Sequence, residues 1–374
     1  MKKSTPIIAL FLVLVMLFSA CNNSQTPEET TPKVSTPKVT TPVEATPEVT
    51  TPTDDTVTEP SQTVVPLDPA CEHDFASRIV LTQVTTEADG EIANVCANCG
   101  GWQTETLAAV KSLKILAIGN SFSDNALKYL PALAKKLGIE EVYVGKLYIG
   151  SCDIDKHWQY AQTGGEYGSF QINTGDGWVN QDTKTLKYAL ECYDWDIITM
   201  QQVSGKSGME SSLGNLQNLI DFVNANKTNP NAKLYWHMTW AYSQFTGHGS
   251  FANYNNDQMT MYQAIVDLTK NCIVPNECFA GIIPAGTAVQ NYRGTYINNS
   301  VMESDYITMS DGYHLRNFSE VLAAMTWIRT LTGLSLDGIR FTSNEDMYFA
   351  QGQLRTIKRA VEYAYLNPYE VNPA

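Results

Sequence analysis

From Lys111 onward, apolar residues come in two alternating textures. Runs of strand length read "LKILAIG" (113–119), "EVYVGKLYI" (141–149), "WDIITMQQ" (195–202), "KLYWHMTW" (233–240) and "CFAGIIPAG" (278–286). Between them, apolar positions recur three and four residues apart and predict helices over 124–138, 211–227, 256–270, 318–333 and 343–366. A strand that is apolar at successive positions must be covered on both faces, because its side chains alternate between them. The pattern predicts an α/β fold over 111–374: a parallel sheet in a three-layer α/β/α sandwich. Sites in such folds form beyond the carboxyl ends of the strands.

Upstream the texture differs. "MKK" and the apolar run "PIIALFLVLVMLFSA" end at "LFSAC", a basic start and a core too short for a comfortable membrane span. This resembles a bacterial lipoprotein signal over 1–20, with Cys21 receiving the lipid, although Phe18 stands where leucine is commoner. An ordinary export signal followed by an unrelated cysteine is the other reading. Residues 21–70 repeat Thr, Pro, Val and Glu with almost no aromatics. Such a chain buries too little apolar area to offset its ordering entropy and is expected to be a disordered stalk. A chain carrying these segments is expected at a bacterial cell surface, anchored through the lipid on Cys21. The net charge of −14, with no Lys/Arg-rich run, argues against nucleic acid and anionic surfaces as partners.

Residues 71–107 form a third segment, with Cys71, His73, Cys96 and Cys99. Two close ligands, a hairpin-length spacer and C-x-x-C can close a tetrahedral, structural zinc site. A span this short has little core of its own, so a metal would supply folding energy. "CEHDF" and "DGEIANVCANCG" are similar to the two halves of zinc-ribbon-like repeats on bacterial surface proteins. A Cys96–Cys99 or Cys71–Cys96 disulfide is the alternative in an exported protein. Cys152, Cys192, Cys272 and Cys278 are compatible with buried thiols or, for the last two, a loop disulfide.

The strand ends carry the candidate chemistry. The first runs into "GNSFS", with Ser121 where a helix is due. A serine there caps the helix more often than it attacks a substrate, and the segment is not the G-x-S-x-G elbow of common α/β hydrolases. A nucleophile needs a base. Of the four histidines after residue 111, His157 is unassigned, His237 lies mid-strand and His248 in the loop "TGHGS", while His314 follows Asp311 by three residues in "SDGYHLRN". In a turn, that spacing lets a carboxylate orient the imidazole. It also reads as a plain Asp-Gly turn with a surface histidine.

From about 113 to 335 the chain resembles SGNH-type hydrolases, also called the GDSL family. The closer likeness is to a bacterial branch marked by "GNSFS" (119–123), "QQVSG" (201–205), "HMTWAY" (237–242), "IPAGTAVQNYR" (283–293) and "DGYHL" (311–315). The resemblance implies a flavodoxin-like sandwich. It also implies Ser121 as nucleophile, Asp311 and His314 as acid and base, and an oxyanion hole built from the N–H groups of Ser121 and Gly150. The superfamily's usual G-x-N-D is absent and "QQVSG" stands in its place. Gln202 or Ser204 is then the side-chain donor, with Gln202 favoured because an amide replaces asparagine most directly; Gln201 remains open. No cofactor is implied for catalysis.

Trp158, Trp240, Tyr242 and Tyr313 crowd the expected mouth. Aromatic faces suit sugar rings, and core packing claims the same residues equally well. The reading is a serine esterase removing O-acetyl groups from carbohydrates. A lipase or thioesterase, an envelope O-acetyltransferase and a non-catalytic glycan-binding protein are the alternatives.

Overall fold

The computed structural model describes residues 65–295, 306–342 and 351–372. The expected signal, Cys21, the stalk up to residue 64 and the start of the helix expected over 343–366 lie outside them. Among the described residues, no helix is long and apolar enough to cross a membrane.

The five expected strands appear as β4 (Ser112–Gly119), β5 (Glu141–Tyr148), β8 (Ile197–Met200), β9 (Lys233–His237) and β10 (Phe279–Ile283). A hairpin that the apolar pattern does not announce, β6 (Ser169–Asn173) and β7 (Trp178–Asn180), completes a seven-stranded sheet. Its strands are short and partly exposed, so they carry little hydrophobic signal. The order is β10-β9-β8-β4-β5-β6-β7. The first five run parallel, while β6 runs against β5 and β7 against β6, so the sheet is mostly rather than wholly parallel. All four residues of β8 are buried. Since they face alternate sides, both faces of the sheet are covered.

The helices are α1 (Ser121–Leu127), α2 (Leu130–Lys136), α3 (Ile154–Thr163), α4 (Leu186–Glu191), α5 (Leu216–Asn226), α6 (Gln258–Leu268), α7 (Ala285–Arg293), α8 (Asn317–Thr332) and α9 (Gln351–Leu366). The single helix expected over 124–138 is two. Pro131, without an N–H, fits only the first turn of a helix, and α2 starts afresh beside it. One packed group joins α1, α2, α7, α8 and α9, and another joins α3, α4 and α5.

Ahead of this domain, β1 (Phe75–Thr82), β2 (Gly90–Cys96) and β3 (Trp102–Leu107) form a separate antiparallel meander. The stretch expected to be disordered to residue 70 is already tied down at Val65, whose carbonyl accepts from Trp102 N–H (2.9 Å). The meander is seated on the main domain. Asp74 pairs with Lys270 (3.1 Å), Arg78 stands over the Tyr365 ring, and Gln83 donates to the Gly333 carbonyl (2.6 Å). Gly333 ends α8 at φ 69°, and a Cβ there would come within 2.5 Å of Leu107. Both the left-handed cap and the close seat call for glycine.

Candidate active site

Connections leave β4 and β8 in opposite directions across the sheet: β4 leads to β5 on one side, and β8 to β9 on the other. A crevice opens beyond the carboxyl ends of two such neighbours. Here it is a cavity of about 220 Å³ whose walls include Ser121, Ser151, Ser204, His248, Tyr313 and His314.

Ser121 is the first residue of α1, and the cap is Asn120, not a serine. Asn120 Oδ1 accepts from Phe122 N–H (3.0 Å) and from Gln201 Nε2 (2.8 Å), and its Nδ2 donates to the Cys152 carbonyl (3.1 Å). Ser123 is also occupied, donating to the Asn120 carbonyl (2.9 Å). The capping duty that sequence assigns to Ser121 or Ser123 thus falls on their neighbour. Behind Asn120, the Gln201 amide nitrogen is committed, so its oxygen accepts from His237 Nδ1 (2.9 Å). Burial brings His237 down to about 3, and it stays neutral. His237 and Gln201 therefore brace the turn from behind.

The other wall is the turn 311–314. Asp311 Oδ1 accepts from the N–H groups of Tyr313 and His314 (both 3.0 Å), and its Oδ2 meets His314 Nδ1 at 2.8 Å. Gly312 has φ 78°, and a Cβ there would lie 2.7 Å from Thr246 Cβ, so the turn fits closely under the 243–248 loop. Thr246 Oγ1 donates to the Asp311 carbonyl (2.8 Å), and Ser243 N–H to the Gly312 carbonyl (2.7 Å). Among the described residues no hydrogen bond joins Ser121 Oγ to His314; the two face the same cavity.

Burial by itself would raise the Asp311 carboxyl. The Tyr313 N–H, then the His314 imidazole and N–H, outweigh it and hold the carboxyl below the ordinary carboxylate range. A carboxyl with a lowered folded-state pKa stabilises the fold above its unfolded value and loses that contribution as pH falls through the folded one. The stability gap between wild type and Asp311→Asn is therefore expected to be full at neutral pH and to close below the normal carboxylate range. Denaturant titrations across pH measure it, and a gap that ignores pH would sink the expectation.

Several sequence expectations shift here. Gln202 is 1% exposed, and both ends of its amide are engaged: Nε2 donates to the Ser212 carbonyl (2.9 Å) and hydroxyl (3.0 Å), while Oε1 accepts from Ile154 N–H (3.2 Å) and Val203 N–H (2.7 Å). It cannot serve the cavity. Ser204 does face the cavity, its Oγ 2.9 Å from Tyr242 OH. Trp240 is fully buried, stacks on Phe122 (centroids 4.3 Å apart) and donates to the Tyr313 carbonyl (2.8 Å). It is core behind the site, not a substrate platform. Trp158 packs against the core and is not part of the cavity wall. Tyr313 lines the cavity, whereas Tyr242, at its wall, is fully buried and presents no face to a substrate. After β5, Ser151 (φ 54°) lines it, and Gly150 stands beside it, exposed.

Sequence reasoning missed Lys206 and His248 as wall residues. Lys206 pairs with Asp153 (2.6 Å), the cap of α3. His248 Nδ1 accepts from Ser250 N–H (3.2 Å), which leaves the proton on Nε2. The loop "TGHGS" is the only signal that could have found it.

In the small meander, one ligand atom from each of Cys71, His73, Cys96 and Cys99 lies within 4.8 Å of all the others. Cys71 Sγ is 3.8 Å from Cys96 Sγ, and Cys99 Sγ is 3.8 Å from His73 Nδ1. A tetrahedral zinc with bonds of about 2.3 Å to sulfur has ligand-to-ligand edges of about 3.8 Å, so the donor set and its spacing fit. Burial pushes the Cys71 thiol up to about 12; it also raises Cys96, where hydrogen bonds from the Cys99 backbone and from His73 prevail and bring it down to about 6. All seven described cysteines are free thiols.

The family model "Domain of unknown function (DUF4886)" matches residues 114–346. The crystal structure of a DUF4886 family protein from Bacteroides uniformis ATCC 8492 is 31% identical, covering 70% of this chain and 97% of its own, with a TM-score of 0.63. An alpha/beta hydrolase enzyme from the metagenome of Lake Arreo, Spain, is 9% identical over 59% of this chain and 95% of its own, with a TM-score of 0.32. No curated protein matches.

Proposed function

This chain belongs to the DUF4886 family, and we propose that it is a serine hydrolase of the SGNH type, acting on short-chain esters of carbohydrates, O-acetyl groups first among them. One observation carries the reading. The Asp311–His314 bond of 2.8 Å opens onto the same cavity as Ser121, a serine relieved of its capping role by Asn120.

Asp311 holds the proton on Nδ1, so Nε2 is the free base. As Ser121 Oγ attacks the ester carbonyl, its proton passes to His314 Nε2, and the carbonyl electron pair moves onto oxygen. When the tetrahedral species collapses, the C–O bond to the sugar breaks and the leaving oxygen takes the proton from His314. Water then attacks the acyl-serine, giving its proton to His314; as the second tetrahedral species collapses, the C–O bond to Ser121 breaks, Oγ takes that proton back from His314, and the carboxylic acid leaves. The hydrogen bond from Ser121 Oγ to His314 Nε2 would form as the substrate is bound. The oxyanion would be met by Ser121 N–H, by the backbone at Gly150–Ser151 and by the Ser204 hydroxyl. If Tyr242 OH donates to Ser204 Oγ, the serine proton is free to point at the oxyanion.

The cavity's size and its polar wall support a short acyl group over a lipid chain. Hydroxyls, His248 Nε2–H and the face of Tyr313 offer what a sugar needs. The lipid on Cys21 would place the enzyme on the outside of the cell. Cys71, His73, Cys96 and Cys99 would hold a structural zinc, which supplies folding energy when bound and no step of the reaction.

Acetate release from a panel of acetylated sugars and polysaccharides, with Ser121→Ala as control, tests the function. No acetate from any member, or equal release by the variant, would sink it. Among donors, Ser204→Ala is expected to lower kcat by roughly 10²–10³ with KM little changed. Gln202→Ala is expected to lower the melting temperature through its orphaned buried partners and to leave most of kcat in the folded fraction. The reverse ranking would return the donor role to Gln202.

A further inference from the structure

We infer that Asn125 is a positioning residue that sets the reach between the nucleophile and its base; the inference rests on the serine-hydrolase reading. Asn125 lies on α1, one helical turn beyond Ser121, and is 8% exposed. Asparagine is a poor helix former, so its presence inside a seven-residue helix asks for a reason. Both ends of its amide are engaged across the interface. Oδ1 accepts from Leu315 N–H (3.0 Å), and Nδ2 donates to Glu320 Oε1 (3.0 Å) on α8. Glu320, 2% exposed, accepts from Lys128 at its other oxygen (2.6 Å).

Leu315 N–H belongs to the peptide group that follows His314. The other end of that group, the His314 carbonyl, accepts from Met309 N–H (2.7 Å). The peptide is thus pinned at one end to its own turn and at the other to the helix that begins with Ser121. The imidazole hangs between this peptide and the Asp311 carboxylate. With its ring end and its backbone both fixed, the remaining freedom is how the whole turn sits on α1, and Asn125 is the side chain that ties the turn's backbone to α1. A misplacement of about 1 Å in a reacting pair can cost about 100-fold.

The chemistry of the contact permits a clean exchange. Asn125→Asp sets a second carboxylate against Glu320 where a donor is needed. Glu320→Gln restores a donor on the opposite side, because the glutamine amide can give its N–H to the new aspartate. Asn125→Leu removes both contacts at similar volume.

The test follows the labelling rate of Ser121 by a fluorophosphonate, together with kcat and KM on an acetyl ester, in variants whose folded fraction is established by thermal unfolding. Asn125→Leu and Asn125→Asp are expected to lower the labelling rate and kcat by about 100-fold, with KM within about threefold of wild type. Asn125→Asp combined with Glu320→Gln is expected to recover most of both. Should Asn125→Leu fail to fold, the paired exchange, which keeps every buried group partnered, still decides the question. Wild type labelled and active, with a folded Asn125→Leu labelled at the same rate, overturns the positioning role and leaves the hydrolase reading standing. So does a folded paired exchange that is no faster than Asn125→Asp alone. Wild type that takes no label, or stays active as Ser121→Ala, overturns the hydrolase reading and this inference with it.

Discussion

Ser121→Ala and His314→Ala are each expected to lower kcat by roughly 10⁴–10⁶, and the double variant to be little worse than either. The near-equality follows from the chemistry. A hydroxyl without a base is a poor nucleophile at neutral pH, and a base without a hydroxyl has no proton to take, so each loss removes the same step. Asp311→Asn is expected to cost less, though severely. The asparagine preserves the turn, since its carbonyl can still accept the N–H groups of Tyr313 and His314, but it can no longer hold the imidazole's Nδ1–H and stabilise the charge that forms. Steady-state rates on an acetyl ester, with trapping of the acyl-enzyme in wild type, measure all four. A double variant much worse than either single one would mean that the two residues act separately, and the shared step would be lost.

The second large effect concerns the metal. Purified without chelator, the chain is expected to carry about one zinc per molecule. Cys96→Ser, which removes the most buried of the four ligands, is expected to lose it. Structural zinc sites in small modules bind with apparent free energies of about 10–16 kcal/mol, which is folding energy for a segment with little core. Removing the metal should therefore open Phe75–Leu107 to hydrogen exchange. Because the meander is seated on the main domain through Asp74–Lys270, Gln83–Gly333 and Arg78–Tyr365, the melting temperature of the whole should fall as well. The cavity wall contains none of the four ligands, so kcat at room temperature should hold. Metal-free protein with Cys96 and Cys99 joined as a disulfide would refute the site.

Much of the frame was legible in the chain. The five parallel strands announced themselves because their central positions are buried on both faces, fully so in β8 and nearly so in β4, and therefore apolar in succession. The β6–β7 hairpin did not, because a short edge of the sheet in partial contact with solvent needs no such run. The apolar spacing over 124–138 marks helical chain, and Pro131 is the signal that it is two helices and not one. The expectation of disorder as far as residue 70 reaches past Val65, because nothing in the composition reveals that Val65 is held by a backbone bond to Trp102.

What the sequence determined by itself were the relations closed within a few residues. Asp311 and His314 meet because a turn with glycine at its centre brings a carboxylate back onto the residue three positions on. Cys96 and Cys99 converge for a similar reason. What only the tertiary structure decided is which way a side chain faces where regular structure ends. Past Met200 the alternation of the strand stops and a 3₁₀ turn begins at Ser204, so no periodicity tells whether Gln201, Gln202 or Ser204 meets the cavity. Packing settles it: Gln201 braces Asn120, Gln202 is saturated by Ser212, Ile154 and Val203, and Ser204 is left facing Tyr242. Trp240 lies on the same side of that line, an aromatic near the mouth in sequence and a buried stack on Phe122 in space. Local chemistry travels with the backbone, whereas burial depends on which distant segment arrives to cover a face, and a single chain read in order does not record that arrival.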